Sequence, residues 1–98
     1  MFYVYILASR RNGTLYVGHT DNLCRRMFQH KSKHVIGFAA KYGVDQLIWF
    51  QNFEARSNAF RRERQIKEWR RVWKLSLVES RNPEWIDLTD QLNNLLVL

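Results

Sequence analysis

The sequence predicts a small α/β domain. Its sheet is three-stranded and largely antiparallel, a β-hairpin plus a third strand, flanked by helices in the order β-β-α-(α)-β-α-α. Three observations predict this. Two runs rich in β-branched and aromatic residues, 2–7 and 14–18, flank the turn-forming "RRNG" at 10–13. A third such run, "QLIWFQNF", stands at 46–53. Polar segments with helical spacing follow the second and third runs. A hairpin and a third strand need helices to cover them, which gives a layered α/β unit.

Each element has its own signal. "FYVYIL" (2–7) reads as a strand buried on both faces. Asn12-Gly13 is the turn, since both residues tolerate positive φ, and "TLYVG" (14–18) is the return strand. "HTDN" (19–22) is a polar turn in which Thr20, Asp21 and Asn22 are all suitable N-caps. A helix follows over 22–31 with Leu23 and Met27 facing inward. Residues 32–44 hold two glycines and read as a loop with one short helix. After the third strand, one long helix is expected from Ala55 to Trp73, its apolar stripe being Ala55, Ala59, Ile66, Trp69 and Trp73. "KLSLVES" follows as a further helical segment, Pro83 marks a stop in "SRNPEW", and the tail "LTDQLNNLLVL" again has helix-like spacing.

The totals bound the function. The 98 residues make a single domain, with a core over about 1–80 and a C-terminal helical tail over 81–98. A hydrophobic fraction of 46% supports a packed core and argues against disorder. The net charge of +7 calls for an anionic partner, of which nucleic acid is the commonest, with an acidic membrane surface as the competitor. No apolar run approaches bilayer length, and the N-terminus lacks the basic region of a signal peptide, so no membrane partner is expected. Cys24 is the only cysteine, which excludes an intrachain disulfide and fits a reducing cytoplasm.

Several side chains could carry chemistry. Tyr5 and Tyr16 fall on one sheet face. A two-residue turn pairing Arg11 with Thr14 leaves them about four residues apart along the sheet, and a wider loop would bring them together. Their structural reading is as core aromatics with hydroxyls at the edge. Arg26 and His30, at i and i+4, share a helix face, where an arginine can grip a phosphate and a histidine can move a proton. Their structural reading is a solvated basic face. Glu63 lies between the core-facing Ala59 and Ile66 and a basic flank of Arg56, Arg64, Lys67, Arg71 and Lys74. A partly desolvated carboxylate there needs a partner, either Lys67 or Arg70 or a divalent metal. Mg²⁺ needs only one or two protein carboxylates. Cys24, His19, His30 and His34 do not have the spacing of a zinc site. Between residues 56 and 74, eight basic residues face only Glu63 and Glu68, an excess beyond i,i+4 pairing that points to phosphate contact. The candidate contacts are His19, Lys41, Arg56, Arg64, Lys67, Arg71 and Lys74.

In order and spacing these pieces resemble the GIY-YIG nuclease superfamily, most closely its small stand-alone bacterial members and the N-terminal domain of the excinuclease subunit. "YVY" (3–5) stands where the family has G-I-Y, and "YVG" (16–18) where it has Y-I-G. "NLCRRMFQH" looks like the family's helix, with its arginine at Arg26 and histidine at His30, and "AFRRERQIK" like the helix whose metal-binding glutamate falls on Glu63. "SRNPEW" resembles the late segment of the small members, with Asn82 as the match to a late asparagine of larger ones. Tyr3 replaces the first glycine, and His19 stands where some relatives place lysine.

The resemblance implies a metal-dependent endonuclease that hydrolyses phosphodiester bonds in DNA, structure-specific and linked to repair or recombination. Glu63 would hold one Mg²⁺ or Mn²⁺, and Arg26 would balance transition-state charge. Tyr5 or Tyr16 would orient or deprotonate the attacking water, or His30 would take its proton. A free phenol is a poor base at neutral pH, so a catalytic tyrosine needs neighbouring cations. The alternative is a non-enzymatic nucleic-acid-binding module that retains the fold.

Overall fold

A computed structural model describes residues 1–32, 37 and 41–92. Its elements are β1 (Phe2–Ala8), β2 (Leu15–Thr20), α1 (Leu23–Lys31), β3 (Gln46–Phe53), α2 (Arg56–Glu68) and α3 (Arg71–Arg81). The sheet is antiparallel throughout, in the order β2-β1-β3, so β2 is an edge strand and β1 lies between its partners. The predicted α/β class and element order hold. His34, part of the 32–44 segment and the end of the tail lie outside the described residues.

Period-two alternation splits the core in two. Val4, Ile6 and Ala8 of β1 join Val17, Ile48 and Trp49 on one sheet face, beneath Ala59 and Ile66 of α2, Val78 of α3 and Trp85. Tyr5 and Leu7 point the other way, with Leu47, onto Leu23 and Met27 of α1, Val44 and Leu92. Strand β1 is therefore covered on both faces, as its unbroken apolar run predicts. A bulge in β3 opposite Ile6 and Leu7 makes Ile48 the extra residue, which is how Ile48 and Trp49, adjacent in sequence, both enter the first cluster.

The hairpin is wider than the two-residue turn expected. Gly13 N–H donates to the Arg10 carbonyl at 2.9 Å, closing a turn over Arg10–Gly13 in which Asn12 alone takes a positive φ, 57°. Ser9 pairs with Thr14 through its backbone, and its Oγ also accepts the Thr14 N–H at 3.0 Å. The register shifts accordingly: Leu7 faces Tyr16 and Tyr5 faces Gly18. Strand β2 also runs on through His19 and Thr20, which pair with Val4 and Tyr3, so His19 belongs to the strand and not to the turn. The turn shrinks to Asp21 and Asn22, and Asn22 caps α1 by accepting the Arg25 N–H at 2.9 Å.

The two helices expected after β3 are present, but the first ends at Glu68 rather than near Trp73. Trp69 and Arg70 are both extended, with ψ of 150° and 151°, between α2 and α3. Trp69 meets Trp73 edge to face at 6.3 Å and packs against the first cluster, while Trp73 is exposed and leaves the expected stripe. The break turns α3 so that the Arg71 guanidinium donates to the Asn12 and Gly13 carbonyls at 2.8 and 2.6 Å. These bonds and Trp69 packing replace the helical bonds lost at the break.

Residues 82–92 close the outer edge of β3. Asn82 Nδ2 donates to the Ile48 carbonyl, the Asp87 carboxylate accepts the Leu47 N–H, and the Leu88 N–H donates to the Leu47 carbonyl. Covering an edge strand this way removes a template for unwanted pairing. Asp87 also pairs with Lys31. Burial acts to raise its carboxyl, but the bonds from Lys31 and Thr89 outweigh burial and hold it below its ordinary value.

Candidate active site

The candidate residues gather about β2, the edge strand, and Gly18 makes that possible. A Cβ on Gly18 would lie 2.6 Å from the Tyr5 hydroxyl and 3.0 Å from a Tyr16 ring carbon. Only a bare Cα lets the Tyr5 ring lie across the edge strand with its hydroxyl toward the sheet margin. The observed register sets Tyr16 two positions from Tyr5 along the sheet, with ring centroids 6.3 Å apart. His30, the last buried residue of α1, closes a triangle with centroids 6.2 Å from Tyr5 and 6.0 Å from Tyr16.

Burial and charge then set what these groups can do. Tyr5 is 2% exposed. Burial first, then Tyr16, push its phenol well above the usual 10.0, and the carboxylate of Glu63 adds to this, while Arg26 opposes it and loses. The Arg26 charge alone therefore does not lower the Tyr5 phenol. Tyr5 is a neutral hydrogen-bond donor. Burial, then the nearby Arg26 charge, lower His30 below its ordinary 6.5 against a smaller opposing effect of Asp45, so the ring is neutral at pH 7. His30 Nε2 is buried and finds no hydrogen-bond partner among the described residues. Arg26, half-buried on α1, makes no side-chain ion pair or hydrogen bond among the described residues and so keeps its charge uncommitted.

Glu63 arrives from the opposite sheet face. It sits within the buried stripe of α2, with Ala59 and Ile66, rather than at its border, and is 7% exposed. Because Tyr5 senses both Arg26 and Glu63, the two sheet faces meet electrostatically at the β2 edge. Its carboxylate is held by two cationic or potentially cationic partners: Oε2 by Nδ1 of His19, and Oε1 by Nζ of Lys67 at 2.6 Å. His19 stacks edge-on against Phe60 at 5.7 Å. Among the described residues no three His, Cys, Asp or Glu converge as a metal cage. A single carboxylate set for positive partners beside a solvent-open groove of about 340 Å³, lined by Phe60, Glu63, Arg64, Lys67 and Glu68, suits a cation that keeps water and phosphate ligands.

The remaining candidates divide. Lys67, Arg71 and Lys74 form one group, for Lys74 is held below its ordinary value by burial, then by Arg71 and Lys67. Arg71 also spends two bonds on the hairpin, so it ties α3 to the sheet. Arg56 pairs with Asp21 at 3.7 Å and lies over the Phe2 ring, and Arg64 lies over Phe60. Lys41 is exposed with its ammonium 5.4 Å from the Tyr42 ring centroid. Asn82 does not join the site residues: its Nδ2 donates to the Ile48 and Ile86 carbonyls and its Oδ1 accepts the Ile86 N–H, so its amide is spent on backbone.

Two contributions were not assigned from sequence. The sequence places Gly18 in a motif, and the register supplies its steric reason. The sequence suggests a phosphate contact for His19, and its place beside Glu63 follows from its belonging to β2.

Comparison with known proteins shows the family and the fold. A family model described as the GIY-YIG catalytic domain matches residues 1–76. A UPF0213 protein of Staphylococcus haemolyticus is 36% identical over 83 residues, covering 81% of this chain and 95% of the relative. Others from Clostridium perfringens and Natronomonas pharaonis are each 38% identical, covering 84% and 78% of this chain and 87% and 88% of their own. The solution NMR structure of a UPF0213 protein from Bacillus halodurans superposes with a TM-score of 0.56 at 29% identity, covering 91% of this chain and 95% of that one.

Proposed function

Because the chain belongs to the GIY-YIG catalytic-domain family, a nuclease family, we propose that it is a metal-dependent endonuclease that hydrolyses phosphodiester bonds in DNA. The observation that carries the reading is the gathering of Tyr5, Tyr16, Arg26, His30 and Glu63 about an edge strand, although they come from four elements.

In this reading each residue has a distinct task. Arg26, uncommitted beside Tyr5, faces the scissile phosphate and balances the charge that builds on it. Tyr5, whose phenol burial raises above its ordinary value, donates a hydrogen bond, which orients a phosphate oxygen or the attacking water. The proton leaving that water goes to the Tyr16–His30 pair, where His30 is neutral and its Nε2 is unpaired among the described residues. Glu63 would hold Mg²⁺ or Mn²⁺, which when bound supplies Lewis-acid stabilisation of the phosphate and of the leaving oxygen. Lys67, Arg71 and Lys74 extend a positive surface from Glu63 along which the nucleic-acid backbone lies. A place in DNA repair or recombination, on branched or flapped substrates, accords with this chemistry.

A cleavage panel tests the reading. Duplex, single-stranded, flap and branched DNA and RNA are each incubated with Mg²⁺, with Mn²⁺ and with chelator. At least one DNA form should be cut with metal and none with chelator. Binding with a steep salt dependence, but no cleavage of any form in either metal, would instead identify a non-enzymatic nucleic-acid-binding module.

A further inference from the structure

We propose that Lys67 is an exchangeable counter-ion of Glu63: it occupies Oε1 while no divalent cation is bound, yields that oxygen to the cation, and then turns its ammonium to substrate phosphate. The inference rests on the reading of Glu63 as the metal-holding residue.

The two groups on the carboxylate differ in how freely they can leave. His19 belongs to β2, stands opposite Val4 in the sheet, and has its ring braced edge-on at 80° by Phe60. Lys67 stands one turn along the same helix from Glu63, and its side chain is half exposed on a flexible four-carbon stem. Freeing Oε2 would break the His19–Phe60 contact on a ring carried by a strand, whereas freeing Oε1 requires only rotation of an exposed lysine. A cation entering from the groove lined by Glu63 and Lys67 therefore takes Oε1, and His19 keeps Oε2.

The charge arrangement explains why such a device is useful. A carboxylate this buried is costly unless paired, so without Lys67 the metal-free protein would hold an inadequately compensated charge under its sheet. Lys67 compensates it, and for the same reason competes with any divalent ion for that oxygen. Once displaced, its ammonium stays in the group formed with Arg71 and Lys74, where a phosphate can take it. Cation binding and nucleic-acid binding then favour each other, and by linkage the coupling is reciprocal.

Mn²⁺ binding to the full chain without nucleic acid tests this, with free Mn²⁺ read by electron paramagnetic resonance for wild type, Lys67→Met, Lys67→Gln and Glu63→Gln. Both lysine variants should bind Mn²⁺ about fivefold or more tightly than wild type, the low end of ordinary site-to-site coupling. Glu63→Gln should bind none. Unchanged or weakened Mn²⁺ binding in a folded lysine variant, with binding still lost in Glu63→Gln, overturns the exchange. Mn²⁺ binding that survives in Glu63→Gln, or that is absent from wild type and lysine variants alike, overturns the metal reading itself.

Discussion

Gly18 carries the site by having no side chain. The Tyr5 hydroxyl fills the space where a Cβ would stand, at 2.6 Å, so any substitution must move the tyrosine or the strand. Gly18→Ala should cost about 1–3 kcal/mol as an overpacked core position does. Denaturant unfolding would measure this, and an unchanged midpoint would contradict the close packing of Tyr5 on the strand. At this scale the sequence was informative about residue type and weak about environment. Spacing made Tyr5, Tyr16, Arg26 and His30 candidates, and the family resemblance joined them into one site. That Tyr5 is held neutral by burial, while His30 is kept uncharged by burial and Arg26, depends on side chains from three elements. Glu63 stood out in sequence as a carboxylate near an apolar stripe, but only the folded helix shows it inside that stripe, held between His19 and Lys67.

At the scale of elements, strands and helix α1 were legible because local signals agree with tertiary demand. The hairpin was misjudged by two residues, since Asn12-Gly13 suggests a two-residue turn while the Ser9 hydroxyl closes a wider one. The break at Trp69–Arg70 had no glycine or proline to announce it. It is set by packing and by the reach of Arg71 to the hairpin, which are long-range facts. Asn82 shows the same limit: its position suggested a site residue, and its amide instead anchors the segment that covers β3. Asn82→Ala should destabilise the fold by about 1–3 kcal/mol, because the buried Ile48 carbonyl loses its donor. The folded variant should bind nucleic acid as wild type does. A loss of binding without loss of stability, measured by parallel unfolding and gel-shift titrations, would return Asn82 to the site.

Across the whole molecule, one sheet divides the core and its edge joins the two halves. The face beneath α1 presents the tyrosines, Arg26 and His30, the face beneath α2 presents Glu63 and His19, and both sets lie about β2, an edge strand. The net charge of +7 was readable from composition, and its concentration as Lys67, Arg71 and Lys74 beside Glu63 was not. The central claim is that this meeting point is a reaction centre with Glu63 as its metal-holding group. Its most direct test measures DNA cleavage and DNA binding on the same samples of wild type and Glu63→Gln, in Mg²⁺ or Mn²⁺. The account predicts cleavage reduced to the level seen with chelator while the folded variant still binds DNA. Cleavage by Glu63→Gln at the wild-type rate would contradict it.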